Sequence, residues 1–287
     1  DLHGTSHSFP TRRSSDLHLT KDIVPGGYRV GGTAAYAACT ARRLGWRAGI
    51  LTRAEAGLPL PDALAGVAVH RLPSDRTTTF ENRYLGGVRQ QFLHAVAPPI
   101  TSADVPPDWK EPAVVLLGPV AGEVDPSLAR AFPQARLGVT PQGWMRRWDG
   151  EGRVWPRRWD AAREVLPWVE ALIVSEEDLG DDREALADYI ANVPVVVLTT
   201  GWRGATLYQG GQASAIPPRP AREVDPTGAG DVFAAAFLIR WRETGDPLAA
   251  ARFANVVASF SVEGPGLTAI PTRAQVETWL ATEGCAA

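Results

Sequence analysis

The chemistry of this chain concentrates in one short segment, which reads Asp-Pro-Thr-Gly-Ala-Gly-Asp from Asp225 to Asp231 and runs directly into the apolar stretch VFAAAFLI. Among Gly228, Ala229 and Gly230, the two glycines let the backbone turn tightly and let a ligand approach it closely. If the apolar stretch is a helix, their N–H groups point out of its N-terminus, where the helix dipole adds partial positive charge. The segment therefore predicts an anion-binding site.

Asp231 has an unexpected place beside such a site. A carboxylate there repels a bound phosphate, but it is useful if it takes a proton from a hydroxyl that attacks the phosphate. We therefore predict that Asp231 is a general base. The alternative is structural, with Asp231 capping the helix and the glycines forming a turn.

The patterning of the second half of the chain predicts an α/β fold. Apolar strands such as ALIVS at 171–175 and VPVVVLTT at 193–200 alternate with helical segments from Ala113 onward. Continuous apolar strands of this kind indicate a parallel sheet that is covered on both faces. A late antiparallel ribbon is predicted within 206–216. Helices are predicted near 126–132, 181–191, 229–242, 248–262 and 273–281.

The first half of the chain predicts a helix and a flap. The helix runs between Gly31 and Gly45, with Thr33 as a candidate cap and Gly45 suited to the left-handed position after the helix. The stretches 77–84 and 88–93 are separated by Leu-Gly-Gly, which favours a β-hairpin. This hairpin carries polar residues on both faces, so we predict that it covers a site.

Two motifs resemble a known family. DPTGAGD before an apolar helix resembles the C-terminal signature of the PfkB/ribokinase-like carbohydrate kinases, and Gly31-Gly32 before an Ala-rich helix resembles their N-terminal glycine motif. The resemblance extends from about His18 to Ile270. It implies a kinase domain over 18–287, in which a three-layer α/β/α ribokinase-like core with a mostly parallel sheet carries a small β lid. The lid segments are expected at about 20–30 and 72–95.

The resemblance also implies an activity and a set of site residues. The activity is transfer of the γ-phosphoryl group of ATP, with Mg²⁺, to a hydroxyl of a small sugar, polyol or nucleoside. Asp231 is the implied general base, and the amides of Gly228, Ala229 and Gly230 form the implied anion hole. The residues expected to bind the acceptor are Asp22, Gly31, Gly32, Tyr36 and Asn82. The residues expected to bind the nucleotide are Ser175, Thr199, Gly201, Gly204 and Asn255.

Metal binding is implied at two places. Asp225 and Thr227 stand where some members of the family bind a monovalent cation such as potassium. Asp178 is a candidate to bind magnesium through water. The family often has Asn-x-x-Glu here, whereas this chain reads Ser-Glu-Glu-Asp at 175–178, which keeps oxygen ligands with a shorter reach. The alternative for 175–178 is a solvated acidic helix start.

A second departure is Tyr36, which stands where many sugar kinases carry a substrate-binding Asn. An aromatic ring suggests a less usual acceptor or a ring stacked on it, and the alternative is helix packing. The departures leave a second function open, a non-catalytic sugar- or nucleotide-sensing protein on a kinase fold. The change at 175–178 favours that function, and the retained Asp231 argues against it.

Composition excludes several other classes of protein. The net charge of −3, from 29 Lys and Arg against 32 Asp and Glu, argues against nucleic acid or an anionic membrane as the main partner. No apolar run approaches the ~20 residues of a spanning helix. Cys39 and Cys285 lack metal or redox spacing, which favours a reducing cytoplasm.

The Trp- and Arg-rich stretch 144–159 is diluted by acidic residues and is interpreted as a surface or substrate rim. The exposed edge of the lid permits a homodimer.

Residues 1–17 do not match the rest of the chain. They are rich in Ser, Thr, His and Arg, and SFPTRRSSDL resembles a translated sequencing adaptor more than native protein. We predict that this segment is non-native and replaces a native first strand. The alternative is a genuine disordered tail.

Overall fold

The computed structural model describes residues 13–86, 88–109 and 111–282. The strands are β1 (Arg13–Leu17), β2 (Thr20–Val24), β3 (Gly27–Gly31), β4 (Arg47–Ala54), β5 (Ala68–Pro73), β6 (Thr79–Leu85), β7 (Val88–Ala95), β8 (Val114–Leu117), β9 (Arg136–Val139), β10 (Arg146–Trp148), β11 (Val154–Pro156), β12 (Ala171–Ser175), β13 (Val195–Thr199), β14 (Ala205–Gln209) and β15 (Gln212–Ile216). The helices are α1 (Thr33–Arg43), α2 (Ala162–Val165), α3 (Glu176–Leu179), α4 (Arg183–Asn192), α5 (Ala229–Thr244), α6 (Pro247–Ser261) and α7 (Arg273–Thr282). No helix within the described ranges is long and apolar enough to cross a membrane.

Nine strands form one sheet in the order β15-β14-β13-β12-β9-β8-β1-β4-β5. All neighbours from β13 to β5 in this order are parallel, while β14 and β15 add an antiparallel ribbon at one edge. Apolar sequences such as VVLL in β8 suit a position that is covered on both faces. The predicted mostly parallel sheet and its late antiparallel ribbon are confirmed.

Two apolar layers cover the two faces of this sheet. Val114 and Leu116 of β8 pack into a core with α1, α5 and α6, whereas Val115 and Leu117 pack into a second core with α4. The alternation follows from the two-residue period of a strand. The sheet is thus the middle of three layers, as expected for an α/β/α core.

A second, smaller sheet has the strand order β3-β2-β6-β7. The hairpin β6–β7 is antiparallel and closes with Leu85 paired to Val88, which confirms the predicted hairpin. β2 lies parallel to β6 and antiparallel to β3. The small sheet therefore joins the two segments that were expected to form the lid.

Two local predictions are wrong. The segment 126–132 forms only a short 3₁₀ helix over Pro126–Arg130, and Pro133 disfavours a helical conformation of the residue before it. Thr33 is not the cap of α1, because Gly32 takes the cap position with φ 85° and Thr33 is the first helical residue. The hydroxyl of Thr33 is therefore available to another partner.

Residues 13–17 fall within the predicted tail but form β1, which pairs in parallel with both β4 and β8. Residues 1–12 lie outside the described residues. The sequence of β1, RSSDL, is polar, whereas strands between two covered faces are normally apolar. The foreign origin of this segment and the replacement of a native first strand stay predictions.

Candidate active site

The candidate site lies at the edge of the large sheet where its parallel strands end. β12 and β13 end side by side, with Ser175 paired to Thr199. In open α/β sheets this carboxyl edge is where ligands bind. Thr33 begins α1 at the same edge, and it packs so closely on Gly118, just after β8, that a Cβ at Gly118 would lie 2.1 Å from its Cγ2. The hydroxyl of Thr33 bonds to the carboxyl group of Asp231, which brings the start of α5 to this edge as well.

The start of α5 is shaped by Gly228. This residue is the N-cap in the left-handed conformation, with φ 77°, and a Cβ on it would lie 2.3–2.4 Å from ring atoms of Tyr36. The amide of Ala229 donates to the carbonyl of Pro226 at 3.2 Å, so it is already engaged. Among the described residues, the amides of Gly228 and Gly230 have no such acceptor. Two of the three amides predicted for the anion hole are therefore available to a ligand.

Asp231 lies half-buried in the first turn of α5. Burial raises the pKa of its carboxyl group to about 6, and the nearby charges of Asp178 and Asp22 also raise it. The hydrogen bond from Thr33 and the charge of Arg146 act in the opposite direction. Since Gly228 is the cap of α5 and Asp231 accepts from Thr33, the alternative of a purely capping Asp231 loses its support.

Asp22 lies on β2, half-buried, and faces Arg29 across the pair with β3. Burial raises the pKa of Asp22 to about 6, although the charges of Arg29, Arg89 and Arg146 lower it. Gly31 makes this arrangement possible, because a Cβ there would lie 2.5 Å from Oδ2 of Asp22. Gly31 of the N-terminal glycine motif thus lies against Asp22.

Gly32 makes the next step of the same turn. Its φ is +85°, and a Cβ on it would lie 2.8 Å from the carbonyl oxygen of His18. The chain passes from the small sheet into α1 at this point. Gly32 is therefore required by close backbone packing, and Gly31 by the close approach of the Asp22 side chain.

Tyr36 is buried in α1, only 7% exposed, and its ring rests on Gly228. Burial raises its pKa, and the charges of Asp225, Asp22 and Asp231 act in the same direction. The packing alternative describes this ring better than stacking on a ligand does.

Asn82 lies on β6 of the small sheet, half-buried. Its Oδ1 accepts from Nε of Arg89 at 3.0 Å and from Nε2 of Gln91 at 3.2 Å. The two donors hold the amide group in place on the face of the sheet that carries Asp22.

Asp178 is held by two neighbours at the end of β12. The hydroxyl of Ser175 donates to its Oδ2 at 2.5 Å, and Nε2 of Gln142 donates to both carboxylate oxygens at 3.1 and 3.2 Å. Ser175 also accepts from the amide of Asp178, as the N-cap of α3. Asp178 is therefore an oriented, half-buried carboxylate, unlike the exposed Glu176 and Glu177 beside it.

The predicted nucleotide turn follows β13. The hydroxyl of Thr199 donates to the carbonyl of Val174 at 3.5 Å, and Gly201 has φ 60°. Gly204 has φ 94°, and a Cβ there would lie 2.2 Å from the carbonyl of Ile216, so only glycine fits this turn into β14. Asn255 stands apart on α6, where its Nδ2 donates to the carbonyl of Pro217 at 2.8 Å.

The carboxylate of Asp225 is held by two backbone amides and lies beside Arg29. Its Oδ1 accepts from the amide of Thr227 at 3.1 Å and its Oδ2 from the amide of Gly266 at 3.2 Å, while Arg29 lies 3.6 Å from Oδ2. These hydrogen bonds hold the pKa of Asp225 below its usual range despite partial burial. Both oxygens of the carboxylate are thus engaged by the protein.

Arg146 is the site residue that sequence reasoning did not single out. It begins β10 in the stretch interpreted as a surface or rim, yet it is half-buried and its NH1 donates to the carbonyl of Val120 at 3.1 Å. Burial lowers its pKa, while the charges of Asp178 and Asp231 raise it. Its place shortly after the end of β9, at the carboxyl edge of the sheet, is the signal that identifies it.

Comparisons with known proteins find similar kinases. Residues 154–273 match the pfkB family carbohydrate kinases. The cytidine kinase of Thermococcus kodakarensis is 28% identical over 260 residues, which cover 80% of this chain and 88% of that protein. The ribokinase of Bacillus subtilis is 44% identical over 98 residues, which cover 34% of this chain and 32% of that protein.

A solved structure shows the same fold. A pyrophosphate-dependent kinase in the ribokinase family, complexed with a pyrophosphate analog and myo-inositol, superposes with a TM-score of 0.76 at 24% identity. The superposition covers 93% of this chain and 99% of the other. The chain thus has the ribokinase-like fold, and its residues 154–273 match the pfkB family carbohydrate kinases.

Proposed function

We propose that this chain transfers the γ-phosphoryl group of ATP to a hydroxyl of a small sugar, polyol or nucleoside, with Asp231 as the general base. One observation carries the proposal: a half-buried carboxylate with a pKa of about 6 stands three residues after the left-handed glycine that opens α5. With this pKa, Asp231 is largely ionised at pH 7 and able to accept a proton. The available amides of Gly228 and Gly230 lie at the positive end of the helix dipole.

The reaction follows from this arrangement. The acceptor oxygen forms a bond to the γ-phosphorus, the bond from that phosphorus to the bridging oxygen of ADP breaks, and the hydroxyl proton moves to the carboxylate of Asp231. The amides of Gly228 and Gly230 stabilise the negative charge on the phosphoryl oxygens as they are transferred. The Thr33 hydroxyl keeps Asp231 ionised and fixes its orientation.

The acceptor would bind between the small sheet and α1. Asp22 offers a carboxylate to its hydroxyls, and Asn82 contributes from β6, while Gly31 and Gly32 let the acceptor approach the backbone. The ring of Tyr36 would support the backbone at Gly228 by packing against it. The small sheet would act as a lid that excludes water, which otherwise accepts the phosphoryl group.

The donor would lie along the turn after β13. Thr199, Gly201 and Gly204 are proposed to contact the nucleotide. Asn255 is proposed to contact the adenine through its side-chain Oδ1, since its Nδ2 already donates to Pro217. Ser175 is proposed to act at the phosphates through the carboxylate that it orients.

Magnesium fits the residues at the end of β12. The described residues contain no group of three or more His, Cys, Asp or Glu side chains that could cage a metal ion. An ion held chiefly by phosphates and water needs only one or two carboxylates, and Asp178 is a fixed carboxylate at this edge. When bound there, magnesium would neutralise charge on the donor phosphates.

Potassium fits less well. Both oxygens of Asp225 accept amide hydrogen bonds, and Arg29 already places a positive charge beside them. The binding of a monovalent cation by Asp225 and Thr227 therefore stays a prediction, which activity measured with and without potassium would check.

Self-association through the small sheet also stays a prediction. Ile23 and Tyr28, on the face of the small sheet opposite Asp22, are 39% and 42% exposed. Sedimentation would reveal whether the chain dimerises and whether charged substitutions at these two positions prevent it. A cytoplasmic location is likewise a prediction from cysteine usage.

A donor and acceptor screen tests the proposal. Product release is measured with magnesium and either ATP or pyrophosphate, against ribose, myo-inositol and cytidine among other sugars, polyols and nucleosides. We expect acceptor-dependent ADP release that is lost in Asp231→Asn and kept in the control Glu184→Gln, which changes an exposed carboxylate outside the site. Release with pyrophosphate alone would correct the donor, and ATP binding without any turnover would favour a sensing protein.

A further inference from the structure

Two arginines converge on the inner face of the small sheet, the face that carries Asp22. Arg146 reaches this face from β10, and its guanidinium lies 5.6 Å from the ring centroid of Phe80. Arg89 belongs to β7, and its Nε donates to Oδ1 of Asn82 at 3.0 Å. The reaction proposed above assigns no role to either guanidinium.

The strand register fixes how these groups lie relative to each other. Asp22 pairs with Phe80 between β2 and β6, so the two side chains are neighbours on one face. Asn82 follows two residues later on the same face, at a spacing of roughly 6.6 Å along the strand. Both guanidiniums therefore lie beside Asp22. Arg146 is held at the position of Phe80, and Arg89 at the position of Asn82.

Neither arginine has an anionic partner of its own. Among the described residues, no carboxylate lies within 4.0 Å of Arg146 or Arg89, whereas Arg53 and Arg273 form ion pairs at 2.7 Å with Asp104 and Glu243. The sole hydrogen bonds found for the two guanidiniums in the described part of the chain go to neutral oxygens, of Val120 and Asn82.

Other charges face Arg146 from the surrounding elements. Asp178 after β12, Asp231 in α5 and Glu123 after β8 attract its charge, while Arg89 opposes it. Glu123 is fully buried and already accepts from two backbone amides, those of Val120 at 2.8 Å and Ala121 at 2.5 Å. The two arginines thus disfavour each other, and Asp22 interacts with both of them, but none of these carboxylates forms an ion pair with either guanidinium in the described part of the chain.

We propose that Arg146 and Arg89 form an anion site beside Asp22 that binds a phosphate or carboxylate group in the acceptor pocket. Two neighbouring guanidiniums are suited to such planar or tetrahedral oxyanions, because each offers several N–H donors in a fixed fork. The interpretation of the bound group rests on the proposed kinase function, but the binding of an anion does not.

Two sources could supply this anion. One is the phosphoryl group itself, as it passes from the donor to the acceptor hydroxyl. The other is a phosphate or carboxylate that the acceptor already carries before the reaction. In both cases the chemistry at the two guanidiniums is the same.

A titration with inorganic phosphate tests the site without requiring catalysis. Calorimetry on the full chain, with no donor present, compares the wild type with Arg146→Gln and Arg89→Gln. Two matched controls are Arg147→Gln, the exposed next residue of β10, and Arg83→Gln, whose side chain pairs with Glu81 on the opposite face of the hairpin. We expect phosphate binding at least 10-fold weaker in Arg146→Gln, clearly weaker in Arg89→Gln and unchanged in both controls.

Phosphate binding equal to the wild type in both test variants would overturn the site. Arg89 is exposed, so its variant keeps the test valid if Arg146→Gln does not fold. Repeating the titration with a saturating non-hydrolysable ATP analogue separates the two sources. Loss of phosphate binding then assigns the site to the transferred phosphoryl group, and retained binding assigns it to an anionic acceptor.

Kinetics distinguish a failure of this site from a failure of the kinase proposal. Arginine-dependent phosphate binding in a chain without any turnover would keep the anion site and contradict the kinase function. Turnover with unchanged kcat, unchanged acceptor KM and unchanged phosphate binding in both test variants would keep the kinase and contradict the anion site.

Discussion

The hydroxyl of Thr33, the first residue of α1, bonds to the carboxyl group of Asp231 in the first turn of α5. The contact joins the two glycine motifs of the sequence, which lie almost 200 residues apart. Thr33 also packs closely against Gly118, just after β8. The proposed base is thus oriented by a residue that belongs to the other motif.

This contact leads to a prediction about pH. The hydrogen bond lowers the pKa of Asp231, so Thr33→Val, which keeps the shape and removes the hydroxyl, should raise that pKa above about 6. The acid limb of kcat/KM should move to higher pH, with activity falling more at pH 6 than at pH 8. Thr33→Ser keeps a hydroxyl and serves as the control. An acid limb at the same pH in wild type and Thr33→Val would contradict the role of this bond.

Gly228 should not tolerate a side chain. Gly228→Ala places a Cβ 2.3–2.4 Å from the Tyr36 ring and forces a non-glycine residue to φ 77°. The left-handed conformation alone costs about 1–2 kcal/mol, and the ring contact adds to this. We expect a lower Tm and a large loss of turnover. Gly245→Ala, also left-handed at φ 72° but with open space around it, should lower Tm less and leave turnover intact.

Gly31 and Gly27 offer a matched pair on β3. A Cβ at Gly31 would lie 2.5 Å from Oδ2 of Asp22, whereas a Cβ at Gly27 meets nothing within 4 Å. Gly31→Ala should therefore displace the Asp22 carboxylate and raise the acceptor KM by about 10-fold or more, the effect of losing about 1.4 kcal/mol. Gly27→Ala should leave that KM unchanged. Equal KM values in the two variants would argue that Asp22 does not bind the acceptor.

Asp22 should also cost the protein stability at neutral pH. Its folded pKa is raised from 3.8 to about 6, so the ionised form is disfavoured in the folded state. The contribution of Asp22 to the free energy of unfolding should then become more favourable as pH falls from 8 towards 4, because the folded state binds the proton of Asp22 more tightly than the unfolded chain does. Asp22→Asn should be more stable than the wild type at pH 8, by up to about 3 kcal/mol, and the difference should shrink at pH 4–5. Denaturant unfolding at both pH values measures this, and a constant difference would contradict the raised pKa.

Much of this architecture could be predicted from the sequence, because local patterns specify it. The apolar runs of β12 and β13, the helix after Gly228 and the hairpin around 85–88 each depend on neighbouring residues alone. The glycines of both motifs likewise predict tight turns. Such features need no knowledge of distant contacts.

Other parts of the site could not be predicted, because distant residues create them. Arg146 belongs to a stretch that the sequence predicts to be a surface, yet it is half-buried between distant partners, the carbonyl of Val120 and the ring of Phe80. The packing of Tyr36 on Gly228 depends on how α1 crosses α5. Thr33 reads as a helix cap, and its bond to Asp231 becomes visible only when both helices are in place.

The measurement that tests the central claim most directly is the turnover of Asp231→Asn beside the wild type, at saturating ATP, magnesium and acceptor. Loss of a general base typically lowers the rate about 10²–10⁴-fold. We predict a decrease of that size in kcat, with ATP affinity measured by calorimetry close to that of the wild type. Turnover within a few-fold of the wild type would show that Asp231 is not the base and would contradict the account.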